Sequence, residues 1–232
     1  MLHQENSLPQ DPTVKQAVQA IKIEYIKSQD LLEVARLYEK AFDDHFLGHM
    51  GQDFLKYFCA QFVNTSQNYG YVAKCEGKPV GFLLGTIAKD PLQNFYRQNL
   101  PVLSWLVLKR YLMDAYVRQH ITKRLGNVKI VFKSILPSKE KSAAQGQVSD
   151  LQEAIQAKPA RLLAIAVDQN YRGMGIADRL TGQFCAEMKR EGYKKVGLSV
   201  LPWNERAISF YKKDGWVLEE NRESSLYFSR TI

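Results

Sequence analysis

Residues 162–167 form an unbroken apolar run, and the turn and helix pattern after it restrict the fold more than any other feature of the chain. A glycine-bearing turn comes next. Then, from about Gly175 to Glu191, Ile176, Leu180, Phe184 and Met188 recur at helical spacing, with Ala177 beside them. An apolar run without alternation is what a strand covered on both faces looks like. A stripe at every third or fourth residue marks a helix packed by one side. Gly192 is placed to end that helix. Residues 196–201 read as another strand, Asn204 opens a helix to Lys213, and 216–218 and 226–228 give two closing strands. Strand and helix alternate, so the expected class is α+β, or three-layer α/β, around one sheet.

The first half is less regular. Residues 1–20 are polar, contain two prolines and read as a flexible leader; they lack the apolar centre of a signal peptide. Ile21, Ile23, Tyr25 and Ile26 suggest a short strand. Ser28 or Asp30 is placed to cap a helix carrying Leu31, Val34, Ala35, Tyr38 and Phe42 on one face. A second helix is expected from Gln52, with Phe54, Leu55, Phe58, Phe62 and Val63. Residues 71–75 and 79–84 are two β-type runs around Glu76, Gly77 and Lys78, which is a hairpin pattern.

Between 89 and 159 the pattern changes, and this stretch reads as a helical insertion in a single domain spanning 21–232. Helical pieces are expected after Pro91 and from Pro101 to about Leu125, then a β-type stretch over 128–132, a polar loop over 138–147 and a short helix over 149–157. Trp105, Leu106, Leu108, Leu112, Ala115 and Tyr116, with Lys109, Arg110 and Arg118, have two readings. They form either a stripe packed on the chain's own core or an amphipathic surface for a membrane or partner.

Lys and Arg total 32 against 24 Asp and Glu, a net charge of +8. That excess suits a polyanionic ligand, nucleic acid or an acidic membrane equally. No nucleic-acid reading motif accompanies it, so no nucleic-acid partner is expected. Cys59, Cys75 and Cys185 make no CxxC pair, which argues against a zinc site or a disulfide framework, and no metal is expected. The most apolar stretch, 100–117, is interrupted by Pro101, Lys109, Arg110 and Asp114, so no transmembrane segment is expected. A cytoplasmic protein, monomeric or homodimeric, is the expectation.

The chemistry concentrates in the turn after Val167. The first amides of a helix have no partner within it. Gly173 and Gly175 let backbone approach a ligand closely, and Arg172 adds a fixed positive charge. Together they suit a phosphate or pyrophosphate at a helix N-terminus. A dinucleotide GxGxxG would need a third glycine where Asp178 stands, and no P-loop sequence is present. Without a ligand, the same residues make an ordinary strand-to-helix turn.

Val167, Asp168, Gln169, Asn170, Tyr171, Arg172, Gly173, Met174, Gly175, Ile176 and Ala177 together resemble the Arg/Gln-x-x-Gly-x-Gly/Ala motif of the GCN5-related N-acetyltransferase (GNAT) superfamily. Downstream, Asn204, Ala207, Phe210, Tyr211, Gly215 and Trp216 are similar to that family's Asn-x-x-Ala-x-x-Phe-Tyr-x-x-x-Gly-Phe block, with Trp in place of the commoner Phe. The resemblance covers 160–232 and extends to 21–88; it does not describe 89–159. It implies a mixed, mostly antiparallel sheet splayed at its middle, helices on both faces, and transfer of acetyl from acetyl-coenzyme A to a primary amine. An amino sugar or a protein amine would be the acceptor. A non-catalytic module that binds coenzyme A on the same fold is the alternative.

The resemblance also implies roles. Backbone of 163–167, with Ile165, Ala166 and Val167 foremost, would bind the pantetheine arm. Arg172, Gly173, Met174, Gly175, Ile176 and Ala177 would hold the pyrophosphate. Tyr211 would protonate the departing thiolate, although a core tyrosine on an amphipathic helix looks the same in sequence. Asn204 is either a helix cap or a coenzyme contact. The run 162–167 has no carboxylate to act as base. Asp43, Asp44 and His45, between the first two helices, are the candidates on the acceptor side.

Overall fold

The computed structural model describes residues 21–43, 46–89, 91–125 and 160–232. The expected leader over 1–20 and the readings at 128–132, 138–147 and 149–157 lie outside these residues. Strand β1 (Lys22–Tyr25) leads into helix α1 (Leu31–Ala41) and helix α2 (Gln52–Ala60). The hairpin β2 (Asn68–Cys75) and β3 (Lys78–Thr86) comes after them, turning through Glu76 and Gly77 at φ of 49° and 80°. Helices α3 (Pro91–Met113) and α4 (Ala115–Leu125) come next, then β4 (Ala160–Val167), α5 (Ile176–Arg190), β5 (Lys195–Val200), α6 (Glu205–Lys213), β6 (Val217–Arg222) and β7 (Ser225–Thr231).

The strands form one sheet in the order β1-β2-β3-β4-β5-β7-β6, antiparallel throughout except where β4 runs parallel to β5. One face carries a buried cluster that includes Ile176, Leu180, Phe184 and Met188 of α5 with Tyr211 of α6. The other carries Val34, Ala35 and Tyr38 of α1 with Phe54, Leu55 and Phe58 of α2. Helices therefore cover both faces, the α+β three-layer arrangement with a mostly antiparallel sheet. Gly85 makes the α5 side possible: a Cβ there would lie 2.4 Å from the Phe184 ring, so only glycine lets α5 sit down on β3.

Three local expectations are corrected. Neither Ser28 nor Asp30 caps α1 through its side chain. The Asp30 carboxylate accepts from the Lys27 amide at 3.0 Å and pairs with Lys74 at 2.8 Å, so a buried ion pair claims it. The helix expected from 101 to 125 is broken at Asp114, whose carboxylate accepts the amides of Tyr116 and Val117 and starts α4. Finally, α2 ends at Ala60, so Phe62 and Val63 come after it in a turn.

Candidate active site

The two edges of β4 differ. Along one, β3 pairs from Thr86↔Arg161 to Gly81↔Val167, with an irregularity where Leu84 pairs Ala164 and Gly85 pairs Leu162. Leu163 is thus the extra residue of a bulge. Along the other edge, β5 pairs only Ala160, Arg161 and Leu162. Past that point the parallel strands part, and 163–167 has no ladder partner on this side among the described residues. Backbone polar groups left there require another partner, water or ligand. The bulge also changes which way the strand faces, as an inserted residue must when side chains alternate. Ala160 and Leu162 join the α5-side cluster, whereas Ala164 and Ala166 join the α1-side cluster.

At the end of β4 the Asp168 carboxylate accepts from the Asn170 amide at 2.9 Å and pairs with Lys40 at 3.6 Å. The Arg172 Nε donates to the Val167 carbonyl at 3.3 Å, holding the guanidinium back over the strand end. Gly173 and Gly175 have φ of 79° and 69°, left-handed values that a side chain resists. The first helical hydrogen bond of α5 runs from the Arg179 amide to the Gly175 carbonyl at 3.1 Å, and Gly175 has no capping side chain. Among the described residues, none claims the leading amides of α5, which lie at the positive end of its dipole. Ile176 sends its side chain into the core and Met174 packs partly against it, so both offer the site only backbone.

Asn204 caps α6: its side chain accepts the Ala207 amide at 3.1 Å. The same helix start brings Arg206 toward Arg172. Burial and the neighbouring Arg206 charge both pull Arg172 below its ordinary value, against the opposing pull of Asp168. Both guanidinium groups thus act in one electrostatic neighbourhood that favours an anion. Sequence reasoning missed Arg206. The available signal was its place two residues after Asn204, but nothing local showed that the α6 start meets the turn after β4.

Tyr211 lies further along α6, about 10 Å from Asn204 by helical rise. Its ring packs edge-on to Trp216 at 5.6 Å and tilts against Phe228 at 6.2 Å. Burial, then the Asp214 charge, pushes the phenol well above its usual value. No described residue hydrogen-bonds to its hydroxyl, which leaves that oxygen to water or a ligand.

The acceptor-side candidates are less gathered. Asp43 is exposed just past α1; Asp44 and His45 lie outside the described residues. The α1 end does reach the turn, since Leu37, Lys40 and Ala41 share a shallow cleft with Val167, Asp168 and Arg172. Beyond it, His49 stacks on Tyr116 at 3.9 Å and lies 3.5 Å from Asp114. Burial opposes ionisation of Asp114, but the Val117 and Tyr116 amides and the His49 ring hold it below the usual carboxylate range. The loop between α1 and α2 is thereby fastened to the start of α4. No group of three or more His, Cys, Asp or Glu suited to a metal occurs among the described residues.

Residues 140–216 match the acetyltransferase (GNAT) family, a stretch that runs through β4, the glycine turn, α5, β5 and α6 to Trp216. No curated protein is similar enough in sequence to count as a relative. Similar solved structures share the fold. A PaiA N-acetyltransferase from Thermoplasma acidophilum, in complex with coenzyme A, is 12% identical with a TM-score of 0.52, over 91% of this chain and 99% of that one. Ard1 from Thermoplasma volcanium is 18% identical with a TM-score of 0.51, over 92% and 98%. A protein described as SsHAT is 19% identical with a TM-score of 0.53, over 91% and 98%.

Proposed function

We propose that this chain, whose residues 140–216 match the GNAT acetyltransferase family, moves acetyl from acetyl-coenzyme A to a primary amine, on a single domain spanning 21–232. The observation that carries this reading is the free edge of β4 over 163–167, which leads directly to the unclaimed amides of α5. A pantetheine arm has amides of its own and can add to that edge like a short strand. Its pyrophosphate then meets the Gly173–Gly175 turn, with Arg172 and Arg206 supplying charge. The coenzyme A in the Thermoplasma acidophilum neighbour is consistent with such a donor.

The amine nitrogen attacks the thioester carbonyl, the carbon–sulfur bond breaks, and the coenzyme leaves as a thiolate. An amide of the free edge, at residue 165 or 166, stabilises the developing oxyanion. Tyr211 delivers a proton to the sulfur. A phenol whose pKa is raised by burial is fully protonated at neutral pH, as a general acid must be. The strand β4 carries no carboxylate, so the proton from the amine leaves by water or through the α1–α2 loop, where Asp43, Asp44 and His45 lie. The acceptor is a small amine, an amino sugar being one candidate, or a protein amine.

The absent strand carboxylate also favours a second reading, a module that binds coenzyme A without turnover. A panel of amines incubated with acetyl-coenzyme A, with free thiol followed, separates the two. Amine-dependent thiol release supports transfer. Heat of coenzyme A binding without thiol release for any amine supports the second reading, and neither result ends both.

A further inference from the structure

We propose that helix α3 attaches the protein to an anionic lipid surface through a face bearing Trp105, Leu108 and Leu112. These residues lie three and four apart on one side of the helix, and they are 66%, 49% and 67% exposed. Met113, at 71%, and Val102, at 40%, widen the stripe. The other side of the same segment is already used: Leu103 is buried, Leu106 and Val107 pack against the α1-side core, and Arg110 lies 3.6 Å from Glu39. A helix that is apolar all round belongs in an apolar surrounding on every side. Half of that surrounding is the protein's own core, and no described residue covers the outer half.

Charge identifies the occupant. Across 91–125 the chain carries Arg97, Lys109, Arg110, Arg118, Lys123 and Arg124 against Asp114 alone. Arg97 and Lys109 are exposed beside the stripe. A second copy docked by this face would bring two such basic surfaces together. An anionic headgroup layer would accept the cations while Trp105 and the leucines enter the acyl boundary, the usual division of an interfacial helix. Asn99 kinks α3 at φ −118° and ψ 16°, and the straight segment after it, from Pro101 to Met113, is only about 20 Å long at 1.5 Å per residue, short of a hydrocarbon core of about 30 Å. No helix of the described residues is long and apolar enough to cross a membrane. A cavity of about 440 Å³ beside the stripe, lined by Tyr96, Leu100, Leu108, Tyr111 and Ile121, gives acyl chains or side chains room to settle.

The test is co-sedimentation of the full chain with phosphatidylcholine vesicles, with and without phosphatidylglycerol. Binding is expected to the anionic vesicles and at least about tenfold less to phosphatidylcholine alone, given roughly a fivefold effect per surface cation. The double variant Trp105→Ser with Leu112→Ser should lose binding, and Lys109→Gln should weaken it about fivefold, with unchanged urea midpoints showing that both variants fold. In a Trp203→Phe background, Trp105 should be quenched by acrylamide in lipid-free protein and shielded by anionic vesicles; Trp216, at 3% exposed, gives the fixed remainder. No vesicle binding, or equal binding to both compositions, overturns the proposal. So does a dimer abolished by Trp105→Ser, which assigns the face to a second copy. Shielding of Trp105 without lipid also overturns it.

Discussion

Helices α5 and α3 solve the same packing problem differently. α5 buries Ile176, Leu180, Phe184 and Met188 against the sheet and shows Asp178, Lys189 and Arg190 to solvent. Each buried side chain contributes about 2 kcal/mol, and the solvent face asks for nothing more. α3 buries Leu103 but leaves Trp105, Leu108, Leu112 and Met113 exposed. The first helix is fully explained by the domain that contains it. The second is explained only in part, which separates the residues that build the sheet and its covering helices from those that face outward.

The largest expected effect tests that contrast directly. Phe184→Ala should cost about 3–5 kcal/mol in urea unfolding, because the ring fills the space over Gly85, whereas Leu112→Ser should stay within about 0.5 kcal/mol. Equal losses would mean that α3 is as much a part of the core as α5. Next comes Tyr211→Phe, which removes the proposed proton donor from the α5 side of the sheet. Its kcat should fall at least about 100-fold while the Kd for coenzyme A changes less than about twofold. Because burial raises this phenol, the wild-type rate should show no alkaline decline from it until above about pH 10.

Smaller effects sharpen the picture of the turn. Arg172→Gln should weaken coenzyme A binding by about 1.5 kcal/mol, roughly tenfold in Kd, with Arg206→Gln similar and both losses shrinking in high salt. Asn204→Ala should cost about 1 kcal/mol of stability through the lost cap on α6. A loss of coenzyme affinity larger than that of stability would show that Asn204 also touches the ligand.

The legible part of the sequence was the part governed by neighbours along the chain. The 162–167 run, the α5 stripe, the hairpin at Gly77 and the start of α6 at Asn204 each depend on periodicity, on a left-handed glycine or on a cap within a few residues. What escaped depends on contacts across space. The bulge at Leu163 reverses the facing of β4, and a uniformly apolar run carries no mark of such a reversal. Asp30 suits an N-cap by residue type, yet Lys74 claims it. Asp114 is the local exception: it caps the amides two and three residues on, inside an apolar pattern that otherwise continues into α4. The charge of Arg206 acts on Arg172 across a gap of more than thirty residues in the chain, which no local pattern marks. The glycine turn was visible; its second cation was not.

Amide hydrogen exchange with and without coenzyme A tests the central claim most directly. Bound coenzyme should slow exchange at residues 173–178 and along the free edge at 163–167, while the amides of α3 exchange as before. Tight binding with protection confined to α3 and α4, or anywhere that leaves the turn unchanged, would contradict it.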